Sequence, residues 1–384
     1  ATYFREYLRE SLKPIIKAIE EEKGEEIDLY TAGLKIYTTV DSRMQQYAEE
    51  AVEEHLSNLQ PEFNRRQKDN PTAPFLDITP EETQKIMNQA MKNSERWRIM
   101  SINGKSDAEI KQSFEVPAKM KIFTWKGERD TIMKPKDSIL YYKHFLQTGM
   151  MAMEPQTGHV KAWVGGINYK YFQYDHVGQG ARQVGSTFKP FVYATAIDRL
   201  GKSPCDMIMD SPFTILKGDN NDKDWTPNNS DGKFRGLVSM KKALANSINT
   251  VSARLIHEVG APAVVEMTKN LGVTSDIPNR PAIALGAVEI TVEEMVAAFS
   301  TFANEGVYIK PQLITRIEDK NGVVIYQGVE ESHDVVNKDV AYSIIKLMEG
   351  VTESGTGSRL RWAASAPSNF LTGVPYNIKG PVAG

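Results

Sequence analysis

The hydrophobic and polar positions change period several times along the chain, and each change marks an element. Phe4, Tyr7, Leu8, Leu12, Ile15, Ile16 and Ile19 recur at helical spacing before the charged EEEKGEE run, which predicts a connector helix ending in a solvated linker. Residues 33–40 (GLKIYTTV) read as a strand, and Asp41 and Ser42 are N-cap candidates for a helix from 43 to about 59. From 60 to 111 the chain is polar and broken by Pro61, Pro71, Pro74 and Pro80, with one helical stretch near 81–98. Residues 114–149 combine strand-like KMKIFTW with an amphipathic helix around 138–146.

The stretch GMMAMEPQTGHVKAWVGG then sets two apolar runs around Pro155-Gln156-Thr157-Gly158, a hairpin signal, and QLITRIEDKNGVVIYQG predicts a second hairpin turning at Asn321-Gly322. Helical periodicity covers 239–259, 262–271, 291–305 and 338–349. Strands and helices come in blocks instead of alternating strictly, so the pattern predicts an α+β fold, a mostly antiparallel sheet flanked by helices. The implied organisation is a connector over 1–32, a strand and helix over 33–59, an inserted accessory segment over 60–149 and the main domain over 150–384.

Composition narrows the picture. With 384 residues, 41% hydrophobic and 25% charged, the chain can bury a sizeable core, and a net charge of -3 gives no field that would draw nucleic acid. Cys205 is the single cysteine, so an internal disulfide and a thiolate cluster are excluded, and it reads as inert packing. His55, His144, His159, His176, His257 and His333 form no ligand spacing, and neither a metal nor another cofactor is expected. Asp210, Glu289 and Glu294 read as helix-capping or surface residues and not as an acid pair.

The candidate chemistry lies in Val184-Gly185-Ser186-Thr187-Phe188-Lys189-Pro190. On a helix, Ser186 and Lys189 share a face, a nucleophile beside a potential base. Pro190 is tolerated only in a first turn, so the helix must start close to Ser186, where unpaired N–H groups and the positive end of the macrodipole suit an oxyanion. The following FVYATAIDRL is heavily apolar, which predicts a low-dielectric site that lowers the Lys189 pKa, and Gly201 and Pro204 close the helix. Ser230 with Lys233, Ser239 with Lys242 and Ser343 with Lys346 match the same SxxK spacing. Only the Ser186 copy follows a Gly-rich stretch and opens a helix with an early proline. Asn246-Ser247-Ile248-Asn249 adds a hydroxyl and a carboxamide two positions apart, able to pass a proton and hold a substrate amide. Ser101 and Asn103 repeat that spacing in a polar region without such surroundings.

With these residues in place the sequence resembles the class A penicillin-binding proteins, the bifunctional peptidoglycan synthases, whose wider family combines SxxK, a Ser-x-Asn element and a Lys-Thr-Gly strand. The resemblance extends over GLKIYTTVDSRMQQYAEEAV, AMEPQTGHVKAWVGG, RQVGSTFKPFVYATAID, WTPNN, ALANSINT, IALGAVEITVEEMVAAFSTFANEGVYIKP and VTESGTGSRLR. It implies the penicillin-binding transpeptidase fold of the serine β-lactamase type. Ser186 would attack the penultimate D-alanine of a stem peptide, with Lys189 as base, Ser247 passing protons and Asn249 orienting the substrate amide. Gly185, Trp225 and Asn228 become candidate substrate-binding positions, and Tyr174 and Phe188 are further cleft candidates.

The implied partners are peptidoglycan stem peptides and lipid II-derived glycan strands, β-lactam antibiotics and other cell-wall synthesis proteins. The implied location is the extracytoplasmic, periplasmic face of the cytoplasmic membrane, with the anchor and the glycosyltransferase domain upstream of residue 1. Lys-Thr-Gly is missing: the chain ends at Gly384 where the family continues into that Lys, and neither Leu371-Thr372-Gly373 nor Lys379-Gly380 substitutes for it. The expectation is therefore an incomplete domain, lacking its C-terminal strands and impaired in acylation by itself. A D,D-carboxypeptidase, which uses water as acceptor, a serine β-lactamase or β-lactam sensor, and a non-catalytic scaffold are the competing readings.

Overall fold

The computed structural model describes residues 1–218 and 222–361. The described residues form two compact units, one made of residues 1–49 with those from 148 to 361, the other of residues 50–147. The expectations placed on Leu371, Thr372, Gly373, Lys379 and Gly380 lie outside the described residues.

In the first unit the connector pattern becomes helix Thr2–Lys23, which buries Tyr3, Phe4, Leu8, Leu12, Ile16 and Ile19 and ends at left-handed Gly24. Its Tyr7 ring stacks on Trp163 with centroids 4.3 Å apart, and the Tyr7 hydroxyl donates to Glu293 at 2.6 Å. Strand Lys35–Thr38 pairs antiparallel with Ile314–Glu318, which pairs with Val324–Gln327. The predicted turn at Asn321-Gly322 forms between the last two, with Asp319 Oδ1 accepting the N–H groups of Asn321 and Val323. The other predicted hairpin is Met150–Met153 against Val160–Val164. Backbone bonds from Val160 to Gln312 and from Asp41 to Lys161 stitch it to the first sheet.

Helix Lys189–Leu200 lies at the centre of the core. Every residue from Lys189 to Ile197 is buried, as an all-round apolar helix requires. Around it pack Asn249–Val259, Ala261–Asn270, Val292–Ala303 and Lys338–Glu353, sharing a cluster that includes Phe191, Tyr193, Leu255, Phe302 and Ile344. Thr291 and Glu294 form a reciprocal capping box on Val292–Ala303, the capping role expected of Glu294. Cys205 is exposed, which corrects its reading as a packing residue.

The 239–259 stretch departs most from expectation. It is not one helix but two, Met240–Ala245 and Asn249–Val259. Ser247 between them has φ +54°, a left-handed conformation that costs a residue with a Cβ about 1–2 kcal/mol. The Ser247 and Ile248 N–H groups turn back to Leu244 and Ala243, closing the first helix.

Helix Ser42–Arg66, which belongs to the second unit from residue 50 on, continues through Pro61, where a break was expected. Proline forfeits one ladder bond, but Gln60 is fastened on both sides, donating to the His144 carbonyl at 2.7 Å and accepting from the Leu146 N–H at 2.9 Å. The 81–98 stretch divides into Pro80–Lys92 and Glu95–Ile102 because Ser94 accepts the Trp97 N–H and starts a new helix. Strand Ala118–Thr124 pairs along its whole length with Gly127–Met133, and helix Pro135–Lys143 follows. Among the described residues no helix is long and apolar enough to cross a membrane.

Candidate active site

Gly185–Phe188 forms a 3₁₀ turn that runs directly into helix Lys189–Leu200. Ser186 is exposed on this turn, and its carbonyl accepts the Lys189 N–H. Gly185 adopts φ +56°, and its N–H donates to Gly286 at 3.2 Å. Val184 donates to Val288, and strand Arg182–Gln183 pairs with Glu289–Ile290. The IALGAVEI segment thus holds the approach to Ser186 from outside. Gly286 is indispensable to that contact: at φ +73°, a Cβ there would lie 1.8 Å from the Gly185 carbonyl oxygen.

Lys189 is 1% exposed. Its ammonium donates to the Ser247 carbonyl at 2.7 Å, to Ser247 Oγ at 2.8 Å and to Asn249 Oδ1 at 2.7 Å. These use all three donors of a charged lysine. Burial pushes the Lys189 pKa down to about 8. Were the amine to lose its proton, the lone pair would face a hydroxyl able to donate to it, so the group can both give and take a proton.

Asn249 also donates from Nδ2 to the Asn228 carbonyl at 2.8 Å, which brings Asn228, itself exposed, to the same cluster. The structure therefore gathers Lys189, Ser247, Asn249 and Asn228. Ser186 sits one turn ahead of Lys189 and, among the described residues, takes no side-chain hydrogen bond. Trp225 exchanges both backbone bonds with Ile215 and packs against the apolar core. Phe188 is fully buried and belongs to the core, not to a cleft, while Tyr174 is half exposed and donates to the Gln179 carbonyl.

The other SxxK copies have different lives. Ser239 caps helix Met240–Ala245 by accepting the Lys242 N–H. Ser343 and Lys346 lie within Lys338–Glu353, where Lys346 pairs with Glu349. Ser230 and Lys233 flank a turn whose Lys233 carbonyl accepts from Asn229. Ser101 and Asn103 lie at the end of helix Glu95–Ile102. Glu289 is exposed, as expected. Asp210 is not: it is fully buried, and its reading as a cap or surface residue is corrected. Its partner Asn229 lies in the WTPNN run, of which only Trp225 and Asn228 were singled out from the sequence.

Comparison with known proteins follows the same line. Residues 70–146 match the penicillin-binding protein middle domain, and residues 148–368 match the penicillin binding protein transpeptidase domain. The chain is 28% identical to penicillin-binding protein 1A of Rickettsia bellii, over 93% of this chain and 48% of that protein. It is 30% identical to the one from Rickettsia felis, over 85% and 42%. The chain thus spans about half the length of the curated relatives it matches. Among solved structures, penicillin-binding protein 1A of Haemophilus influenzae superposes with a TM-score of 0.65 at 20% identity, over 94% of this chain and 60% of that one. PonA1 of Mycobacterium tuberculosis gives 0.56 at 20% identity, over 88% and 68%. The α+β architecture is thus that of the penicillin-binding transpeptidase fold, and the chain belongs to the penicillin-binding protein transpeptidase family.

Proposed function

We propose that the chain carries the D,D-transpeptidase activity that cross-links peptidoglycan stem peptides through an acyl-enzyme on Ser186. The observation that carries this reading is the buried Lys189, one turn beyond an exposed serine and held by Ser247 and Asn249. With a pKa of about 8, about one Lys189 in ten is neutral at pH 7, enough for a general base. Neutral Lys189 takes the Ser186 proton as Oγ attacks the carbonyl carbon of the penultimate D-alanine. The C–N bond to the terminal D-alanine breaks, and its amine receives a proton passed from Lys189 through Ser247. The amine of a second stem peptide then attacks the ester, forming the cross-link and returning the proton to Ser186. Asn249 orients the substrate amide, with Gly185, Asn228 and Trp225 at its margins.

A β-lactam would enter as a donor mimic and stop at the ester, and glycan strands derived from lipid II would present the peptides. Peptidoglycan lies outside the cytoplasmic membrane, so the reaction places the domain on that face. Incubation of the full-length protein with a labelled penicillin, followed by intact mass and peptide mapping, tests the reading. One adduct on Ser186 is expected, and an added amine acceptor should divert product from hydrolysis to cross-link. A folded protein that takes no label would overturn it.

A further inference from the structure

The active cluster rests on a helix that cannot cap itself. Helix Asn249–Val259 begins after Ile248, whose apolar side chain satisfies none of the first N–H groups. The cap comes from a different part of the chain. Asn229, buried at 6% exposure, accepts the Asn249 N–H at 2.9 Å and the Thr250 N–H at 3.3 Å through Oδ1. Its Nδ2 donates to Asp210 Oδ1 at 2.7 Å and to the Lys233 carbonyl at 2.8 Å.

Asp210 ends strand Met207–Asp210 and is 0% exposed. The same Oδ1 also accepts the Thr250 hydroxyl at 2.6 Å. Oδ2 accepts the Arg235 N–H at 3.0 Å, with the Arg235 guanidinium at 3.5 Å. Burial alone would raise the Asp210 pKa, but the bonds from Thr250, Asn229 and Arg235 outweigh it and hold the carboxyl below its ordinary value. A fixed negative charge one side chain removed from the positive end of a helix is electrostatically favourable. Asn229 has no freedom to flip, because its amide nitrogen must face the carboxylate and its oxygen must then face the helix.

We propose that Asp210, acting through Asn229 and Thr250, is the positioning residue that holds Ser247 and Asn249 against Lys189. The inference rests on Lys189 acting as the base. Ser247 occupies a left-handed conformation that its own sequence does not favour, so something outside must fix it. The buried carboxylate is anchored on the far side by Arg235 and on the near side by the first turn of the helix that follows Ser247.

The test measures acylation of the full-length protein by a fluorescent penicillin from neutral to alkaline pH, with thermal melting alongside. Asp210→Asn and Asn229→Ala are each expected to slow acylation about ten- to a hundredfold, the range for losing a partner that orients a working group. The double variant should be no slower than the slower single, since both act through one chain of bonds. The limb rising with pH should move to lower pH, because a charged Lys189 that loses its acceptors gives up its proton more readily. Thr250→Val should slow the reaction and Thr250→Ser restore it.

Additive losses with an unmoved limb would mean a merely structural role and overturn the inference, as would folded variants with unchanged rates. If Asp210→Asn does not fold, the Asn229 and Thr250 variants decide the matter alone. Should Lys189→Ala itself acylate normally, the underlying reading falls. Should Lys189→Ala be inactive while Asp210 and Asn229 prove dispensable, only the positioning inference falls.

Discussion

Ser186 with Lys189 and Ser239 with Lys242 are the same four-residue spacing in one fold, and they have opposite fates. The first opens a 12-residue helix buried from Lys189 to Ile197, and its lysine is 1% exposed with three acceptors around Nζ. The second opens a six-residue helix, its serine spent on capping and its lysine side chain exposed. Spacing alone therefore confers nothing. What separates the two lysines is burial, which lowers the pKa of Lys189, and the acceptors from elsewhere in the chain that fix where its protons point.

The comparison breaks most severely at Ser186 and Lys189. Ser186→Ala should abolish the penicillin adduct, and Lys189→Ala should slow acylation by about 10²–10⁴-fold, the usual contribution of a positioned base. Lys242→Ala, tested the same way by intact mass against time, should leave the rate unchanged. Equal losses at the two lysines would mean that burial is not what separates them.

The next largest effect is expected at Gly286, which has no side chain to offer the reaction. Gly286→Ala drives a Cβ against the Gly185 carbonyl and places a side chain at φ +73°. The backbone term is about 1–2 kcal/mol and the overpacking term typically about 1–3 kcal/mol, so denaturant melts should show both together. Acylation should fall as well, because the clash is relieved by moving the turn that bears Ser186. A variant that loses stability but acylates at the normal rate would show that the IALGAVEI segment does not set the nucleophile.

A gentler probe leaves the sequence intact. A base is active when neutral, and the Lys189 pKa of about 8 means its neutral fraction rises with pH through that value. The second-order acylation rate should therefore increase about tenfold from pH 7 to its alkaline plateau, with a midpoint near 8. Lys189→Ala should flatten that limb. A limb that persists in the variant would assign the titration to another group.

Much of this was legible in the chain itself, for physical reasons that differ by element. The Lys189 helix was legible because burial on all sides writes an unbroken apolar run, and the Asn321-Gly322 turn because its geometry is local. The break at Ser247 was not, since 239–259 is apolar at helical spacing throughout and the interruption is fixed by Asn229 and Asp210, 20 and 40 residues before the Asn249 and Thr250 they hold. Gly127–Met133 was missed because GERDTIM is polar on both faces. Asp210 was misread because a carboxylate in sequence carries no sign of the donors that will surround it.

The smallest effect sharpens the comparison most cleanly. The Ser239 side chain accepts the Lys242 N–H at 3.3 Å and so starts helix Met240–Ala245. Replacing it with alanine removes a cap, which costs about 1 kcal/mol. A small drop in denaturation midpoint is expected, with an unchanged denaturant slope. That short helix leads into Ser247, so the variant also asks whether the approach to the cluster is held from its own end or from the Asp210 side. If the buried carboxylate does the holding, acylation and its pH limb should be untouched although stability falls. If acylation falls in step with stability, the cap is helping to place Ser247, and the two SxxK segments are less separate than their burial suggests.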